Sequence, residues 1–245
     1  MAVTIIGRQS AFPDPRSADA EGLVAVGGDL SVPRLLAAYR AGIFPWTVAP
    51  VTWWCPDPRG IFELERFHVP RTLARVVRQG IFRVTYDHAF RQVMEGCAQP
   101  RTGSSSTWIT AGFLQAYSQL HQQGYAHSIE CWQNGRLAGG IYGVAIGGFF
   151  AGESMFYRRS NASKVALYFL TAHLRQRGYV LFDIQMITPV TQALGAITIS
   201  RQEYLRRLSR ALTKQCSFAP AHGNAGPSPH GTSLSREPGN TKQTP

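Results

Sequence analysis

Acidic side chains are scarce in this chain of 245 residues: 14 Asp and Glu face 25 Lys and Arg, for a formal net charge of +11. The stretch from Ser217 to Pro245 holds one Lys, one Arg and one Glu, so +10 of that charge belongs to the residues before it. An anionic partner, nucleic acid or a membrane surface, suits such a balance. The four cysteines, Cys55, Cys97, Cys131 and Cys216, form no C-x-x-C pair and have no histidine at matching spacing. Neither a zinc site nor a disulfide framework is indicated. No apolar run approaches the roughly 20 residues of a membrane-spanning helix, and Met1-Ala-Val-Thr-Ile-Ile-Gly-Arg8 lacks a signal peptide's basic start and long apolar middle. A cytoplasmic monomer without membrane contact is expected. Phosphate-loop, H-E-x-x-H, G-x-S-x-G and dinucleotide motifs are all missing, so neither a cofactor nor a metal is expected.

Hydrophobic residues make up 44%, ample for a core. The most informative stretch is Gly147 to Gln185, which reads as strand, polar crossing, long helix and second strand. Ala162, Val165, Ala166, Phe169, Leu170 and Leu174 follow helical spacing, with Ser160 or Asn161 placed to cap the start. Glu153 and Asp183 are the two carboxylates of the segment, each set among apolar strand residues. Burying an acid is costly without partners. Such a pair is either satisfied internally or marks a functional site.

Upstream, Ser31, Pro33 and Gly42 outline a short helix. The Pro- and Trp-rich runs Gly42 to Trp46 and Trp53 to Arg59 lack regular periodicity, and their tryptophans read first as anchors onto the next layer. From His68 to Gly80 a two-faced helix carries Leu73, Val76 and Val77 on one side and Arg71, Arg75 and Arg78 on another. No acid is interspersed among these arginines, which favours a phosphate-binding ridge over a merely solvated face. A strand at Phe82–Tyr86, a helix capped by Asp87, a serine-rich loop at 102–107 and a helix capped by Thr110 follow. Strands then alternate with turns at Asn134-Gly135 and Gly147-Gly148, and Ser200-Arg-Gln-Glu203 reads as a capping box. The expected organisation is α+β: a small irregular N-terminal unit over 1–62, a larger domain with a mostly antiparallel sheet over 63–216, and a disordered tail over 217–245, where Pro, Gly, Ser and Thr dominate.

Taken in order, a set of motifs resembles those of the bacterial leucyl/phenylalanyl-tRNA–protein transferase family. They are Gly22-Leu-Val-Ala-Val-Gly-Gly-Asp-Leu30, Gly42-Ile-Phe-Pro-Trp46, Trp53-Trp-Cys-Pro-Asp-Pro-Arg59, Thr107-Trp-Ile-Thr110 and His127-Ser-Ile-Glu130. Gly139-Gly-Ile-Tyr-Gly-Val-Ala145, Gly152-Glu-Ser-Met-Phe156, Asn161-Ala-Ser-Lys164, Phe182-Asp-Ile-Gln185 and Leu194-Gly-Ala196 continue the series. The resemblance implies transfer of Leu or Phe, less readily Met, from aminoacyl-tRNA to an N-terminal Arg or Lys of a protein, marking it for the N-degron pathway. It also implies an N-acetyltransferase-like larger domain. Asp183 and Gln185 match the family's catalytic pair, and Trp46 and Trp108 match residues that hold the terminal adenosine, which overturns the anchoring role for Trp46. Ile141, Phe150, Met155, Leu170 and Leu174 match the amino-acid pocket, with Glu153 near the reacting groups. Arg71, Arg75 and Arg78 match a patch for the tRNA acceptor stem. Val190 stands where a histidine is common. An acetyl-CoA-dependent acetyltransferase would need an [RQ]-x-x-G-x-[GA] turn, which no stretch matches.

Overall fold

The computed structural model describes residues 3–100 and 107–219. The serine-rich loop at 102–106 and the tail beyond 219 lie outside the described residues. The first elements are β1 (Ile5–Ile6), β2 (Leu23–Gly27), α1 (Val32–Arg40), β3 (Phe44–Val48), β4 (Val51–Trp54), β5 (Arg59–Phe62), α2 (Arg71–Arg78), β6 (Arg83–Tyr86) and α3 (Phe90–Cys97). They are followed by α4 (Ala111–Gln122), β7 (Ala126–Gln133), β8 (Arg136–Ile146), β9 (Phe149–Tyr157), α5 (Ala162–Gln176), β10 (Leu181–Gln185), α6 (Pro189–Ala193), β11 (Ile197–Ile199) and α7 (Arg201–Leu212).

Two sheets result. The smaller runs β1-β2-β4-β3 and the larger β11-β5-β10-β9-β8-β7-β6. Every neighbouring pair in the larger sheet is antiparallel except β9 and β10. Parallel neighbours cannot be joined by a tight turn, and α5 supplies the crossover. The β7–β8 hairpin is the local counterpart: Asn134 and Gly135 both take positive φ, 52° and 72°, as a two-residue hairpin turn requires. On β8, Tyr142 and Val144 face a core shared with α1, α3 and α4, while Ile141 and Ala145 face a second core beneath α5. Both faces are covered, so the strand is almost wholly buried.

The structure changes several expectations. Arg59–Phe62, assigned from sequence to the small unit, pairs with both β10 and β11 and so belongs to the larger sheet. All four residues are buried, which erased the alternation that marks a half-exposed strand. Asn161 precedes α5 in the left-handed region and makes no side-chain cap. Asp87 does not cap α3; its carboxylate pairs with His127 Nδ1 at 2.7 Å and accepts the Ser128 N–H at 2.8 Å. Thr110 makes no side-chain cap either. Ser200 does cap α7, accepting the Glu203 N–H at 3.2 Å, but the Glu203 carboxylate turns to Arg206 and Arg207.

Phe218, expected in the disordered tail, is 3% exposed. Its ring stacks on His127 at 4.2 Å between centroids and packs against Phe150 at 5.7 Å. Its carbonyl accepts from His173 Nε2 at 2.8 Å, and Arg177 donates to the carbonyls of Ser217 and Ala219. The polar neighbours of Phe218 in sequence hid a single well-anchored aromatic.

Candidate active site

Strands β9 and β10 pair only from Leu181–Phe149 to Asp183–Ala151. Beyond that point they part, and a cavity of about 220 Å³ opens where they separate. Gly152, Glu153, Ser154 and Met155 line it from β9, and Ile184, Gln185 and Met186 line it from the end of β10. Phe62, Ile141 and Leu167 add apolar lining, and Phe44, Trp46 and Trp108 line the cavity as well.

The tryptophans are held by neighbouring rings. Trp46 meets Trp54 edge-on at 5.5 Å, and Trp108 meets Phe113 edge-on at 5.2 Å. Each thus presents a braced aromatic side chain to the cavity. Flat rings of this kind stack bases with little regard for sequence.

Of the expected pocket residues, Ile141 and Met155 reach the cavity, whereas Phe150, Leu170 and Leu174 do not line it. Those three are at most 1% exposed and belong to the core cluster beneath α5. Gly143 makes room for one of them: a Cβ there would strike the Phe150 ring and the Ala151 carbonyl. Leu167 lines the cavity instead, one helical turn before Leu170 and Thr171. It shares the helical stripe and was the discernible signal that sequence reasoning passed over.

Asp183 is fully buried. Arg59 Nε donates to its Oδ1 at 2.9 Å and Arg59 Nη2 to its Oδ2 at 2.7 Å. The Tyr204 hydroxyl donates to Oδ2 at 2.9 Å, and the Gln185 main-chain N–H donates to Oδ1 at 2.8 Å. These four bonds match the acceptor capacity of a carboxylate. Asp183 therefore has neither surface nor lone pair left for a further partner. Burial alone would lower the Arg59 pKa, but the adjacent Asp183 carboxylate more than reverses this and raises it.

Glu153 is the carboxylate that lines the cavity. Gln185 Nε2 donates to its Oε1 at 3.0 Å, and the Tyr117 hydroxyl donates to its Oε2 at 3.2 Å. The Tyr117 hydroxyl is hydrogen-bonded in turn to that of Tyr39. Burial pushes the Glu153 pKa up to about 7, aided by the Asp183 charge and opposed by the tyrosine hydrogen bonds and by Arg59. The group stands ready to exchange a proton near neutrality. Tyr39 and Tyr117 were missed because each sits among apolar helix residues and looks like core.

Arg71, Arg75 and Arg78 are exposed on α2 while Leu73 of the same helix is buried. No ion pair neutralises the three arginines among the described residues. Among the described residues no group of three or more His, Cys, Asp or Glu side chains is arranged to hold a metal ion. No helix of the described residues is long and apolar enough to cross a membrane.

Comparison with known proteins sharpens this picture. Among solved structures, a GCN5-related N-acetyltransferase from Kribbella flavida is 10% identical with a TM-score of 0.39, covering 67% of this chain and 60% of its own. L-PGS from Bacillus licheniformis is 10% identical with a TM-score of 0.40, covering 76% and 71%. Both likenesses are slight. Sequence relatives are much nearer. A leucyl/phenylalanyl-tRNA–protein transferase of Magnetococcus marinus is 52% identical over 217 residues, 86% of this chain and 92% of that one. Those of Anaeromyxobacter sp. and Shewanella pealeana are 49% and 48% identical, covering 87% and 82% of this chain and 92% and 87% of their own. Residues 28–57 match the model of the N-terminal domain of leucyl/phenylalanyl-tRNA protein transferase, and residues 61–209 match the model of the transferase itself. With the two models matched in order over residues 28–57 and 61–209, and relatives about half identical along most of its length, the chain belongs to the leucyl/phenylalanyl-tRNA protein transferase family.

Proposed function

We propose that this chain moves leucine or phenylalanine, and less readily methionine, from aminoacyl-tRNA to the N-terminal Arg or Lys of a protein. It acts as a cytoplasmic monomer, and its product enters the N-degron pathway. The observation that carries this reading is the joining, in one cavity, of apolar side chains, two braced tryptophans and the Glu153 carboxylate with a pKa of about 7.

Trp46 and Trp108 hold the terminal adenosine, and Ile141, Met155 and Leu167 receive the amino-acid side chain, with Phe150, Leu170 and Leu174 as packing behind them. Arg71, Arg75 and Arg78 neutralise acceptor-stem phosphates. An apolar pocket discriminates by only about 1–3 kcal/mol per methylene, so Leu, Met and Phe are separated weakly while charged side chains are refused.

The donor ester is already activated. The acceptor α-amine attacks its carbonyl carbon, a C–N bond forms, and the bond to the ribose oxygen breaks. The amine must shed a proton and the leaving oxygen must gain one. An α-amino group with pKa near 8 is neutral about a tenth of the time at pH 7, so a strong base is not needed. The neutral amine, its ammonium proton already lost to solvent, is the attacking species; Glu153 as its carboxylate takes the proton the nitrogen sheds as the C–N bond forms and returns it to the ribose oxygen, while Gln185 holds Glu153 in place. Holding amine and ester together contributes on the order of 7–11 kcal/mol of the barrier reduction. Asp183 serves by positioning Gln185.

The test uses purified protein, leucyl- or phenylalanyl-tRNA, and two peptides that differ only in an N-terminal Arg or Ala. Transfer to the Arg peptide alone is expected. Intact tRNA binding without transfer to either would leave an RNA-binding module and refute the reaction.

A further inference from the structure

Arg59 is not among the described residues that line the cavity, yet its guanidinium touches both parts of the site. It is 1% exposed. Nε and Nη2 grip the two oxygens of Asp183, and Nη2 also reaches the Tyr204 hydroxyl at 3.2 Å. Nη1 donates to the Gly42 carbonyl at 3.2 Å. The guanidinium lies over the rings of Phe44, at 4.8 Å, and Tyr204, at 4.3 Å.

These contacts lead in two directions. Gly42 and Phe44 run directly into Trp46 on β3, so one side of the guanidinium fixes the strand that carries the tryptophan wall. The other side fixes Asp183, whose Oδ1 holds the Gln185 main-chain N–H. Gln185 has a φ of 62°, and the Met186 N–H donates to the Ile184 carbonyl at 2.6 Å, which closes a tight turn around Gln185. A non-glycine residue keeps such a conformation only where its surroundings impose it. The turn aims the Gln185 side chain at Glu153.

Buried ion pairs are frequently no more stabilising than well-packed apolar residues of similar volume. What an apolar pair cannot supply is a planar fork that sets the carboxylate plane and bridges to a second strand at the same time.

Resting on the transfer reaction proposed above, we propose that Arg59 is a positioning residue that keeps the Trp46 wall and the Gln185 turn in register, so that bound donor and proton-handling groups face each other. Its effect passes through Asp183 and Gly42; it does not touch substrate.

Arg59→Met alone would strand a buried carboxylate and disturb the fold. The decisive variant is therefore Arg59→Met with Asp183→Leu, which removes both charges together. A second variant, Arg59→Lys, keeps the charge and loses the fork. Folding is checked by thermal melting and circular dichroism, and transfer from phenylalanyl-tRNA to an Arg-peptide is followed at saturating donor. A misplacement of about 1 Å in a reacting group costs on the order of 100-fold in rate, so kcat should fall by about that factor in both folded variants. The salt dependence of tRNA binding, which reports on α2, should stay as in the wild type. The Gln185 main-chain amide, which donates to Asp183 Oδ1 at 2.8 Å, should exchange faster with deuterium in Arg59→Lys than in the wild type. A folded double variant with wild-type kcat would overturn the role of Arg59 while leaving the reaction intact. Wild-type protein that transfers nothing would overturn the reaction and this role with it.

Discussion

The side-chain amide of Gln185 donates to the carboxylate of Glu153 at 3.0 Å, across two strands that have just ceased to pair. Replacing that amide by a second carboxylate should therefore act directly on the Glu153 proton. In Gln185→Glu, like charges meet in a confined site, and one of the pair must hold its proton more tightly. The rising limb of the pH–rate profile is expected to move up by about one unit or more. Transfer measured from pH 6 to pH 9 would show it; an unmoved limb would separate Gln185 from the proton transfer.

The elevated Glu153 pKa has a cost in stability with a definite sign. A carboxyl group whose folded pKa is raised holds its proton more tightly in the native state. Its contribution is complete below the unfolded value of about 4.5 and is lost as pH rises through about 7. Glu153→Gln should therefore stabilise the fold by about 2–3 kcal/mol at pH 8 and change little at pH 4. Urea unfolding at the two pH values checks this, and an equal effect at both would contradict it. The same variant should lose the pH dependence near 7 in transfer.

Trp46→Ala and Trp108→Ala should weaken donor binding and leave the chemical step largely intact. Stacking on an aromatic side chain contributes about 1–3 kcal/mol per base. KM for aminoacyl-tRNA is expected to rise by about 5- to 150-fold in each, with kcat changed far less. If kcat fell and KM held, the tryptophans would be acting on the reacting groups instead.

Neutralising the ridge on α2 should show up in salt titration more clearly than in affinity at one salt concentration. Each phosphate contact contributes about 0.7–0.9 to the slope of log K against log salt. Arg71→Gln, Arg75→Gln and Arg78→Gln combined should lower the slope by about 2–3. An unchanged slope would move the acceptor stem off α2.

The sequence was most legible where local chemistry decides local structure. Asn134-Gly135 had to be a hairpin turn because both positions take positive φ, and α5 was evident from its spacing. It was least legible where partners are distant. Arg59 sits 124 positions from Asp183 and lies in a Pro-rich stretch, so nothing nearby signalled its role. Tyr39 and Tyr117 are 78 positions apart and meet only once the two units pack together. Leu167 was passed over for Leu170 and Leu174, because periodicity identifies the buried face of a helix but not which turn lies over a cavity. The carboxylates stood out by their apolar surroundings, which left open whether they were satisfied internally or marked a site. Which of them reaches the cavity depends on Arg59 and Tyr204, which occupy Asp183 and leave Glu153 to face it.

The anchoring of Phe218 bears on how the protein can be handled. The family match stops at residue 209 and α7 at Leu212, so either would invite trimming or fusion just beyond. A cut there would remove the ring that closes the space between His127, His173 and Phe150, and would expose the underside of the layer packed behind the cavity. An affinity tag or reporter joined after Ala219 keeps that plug in place.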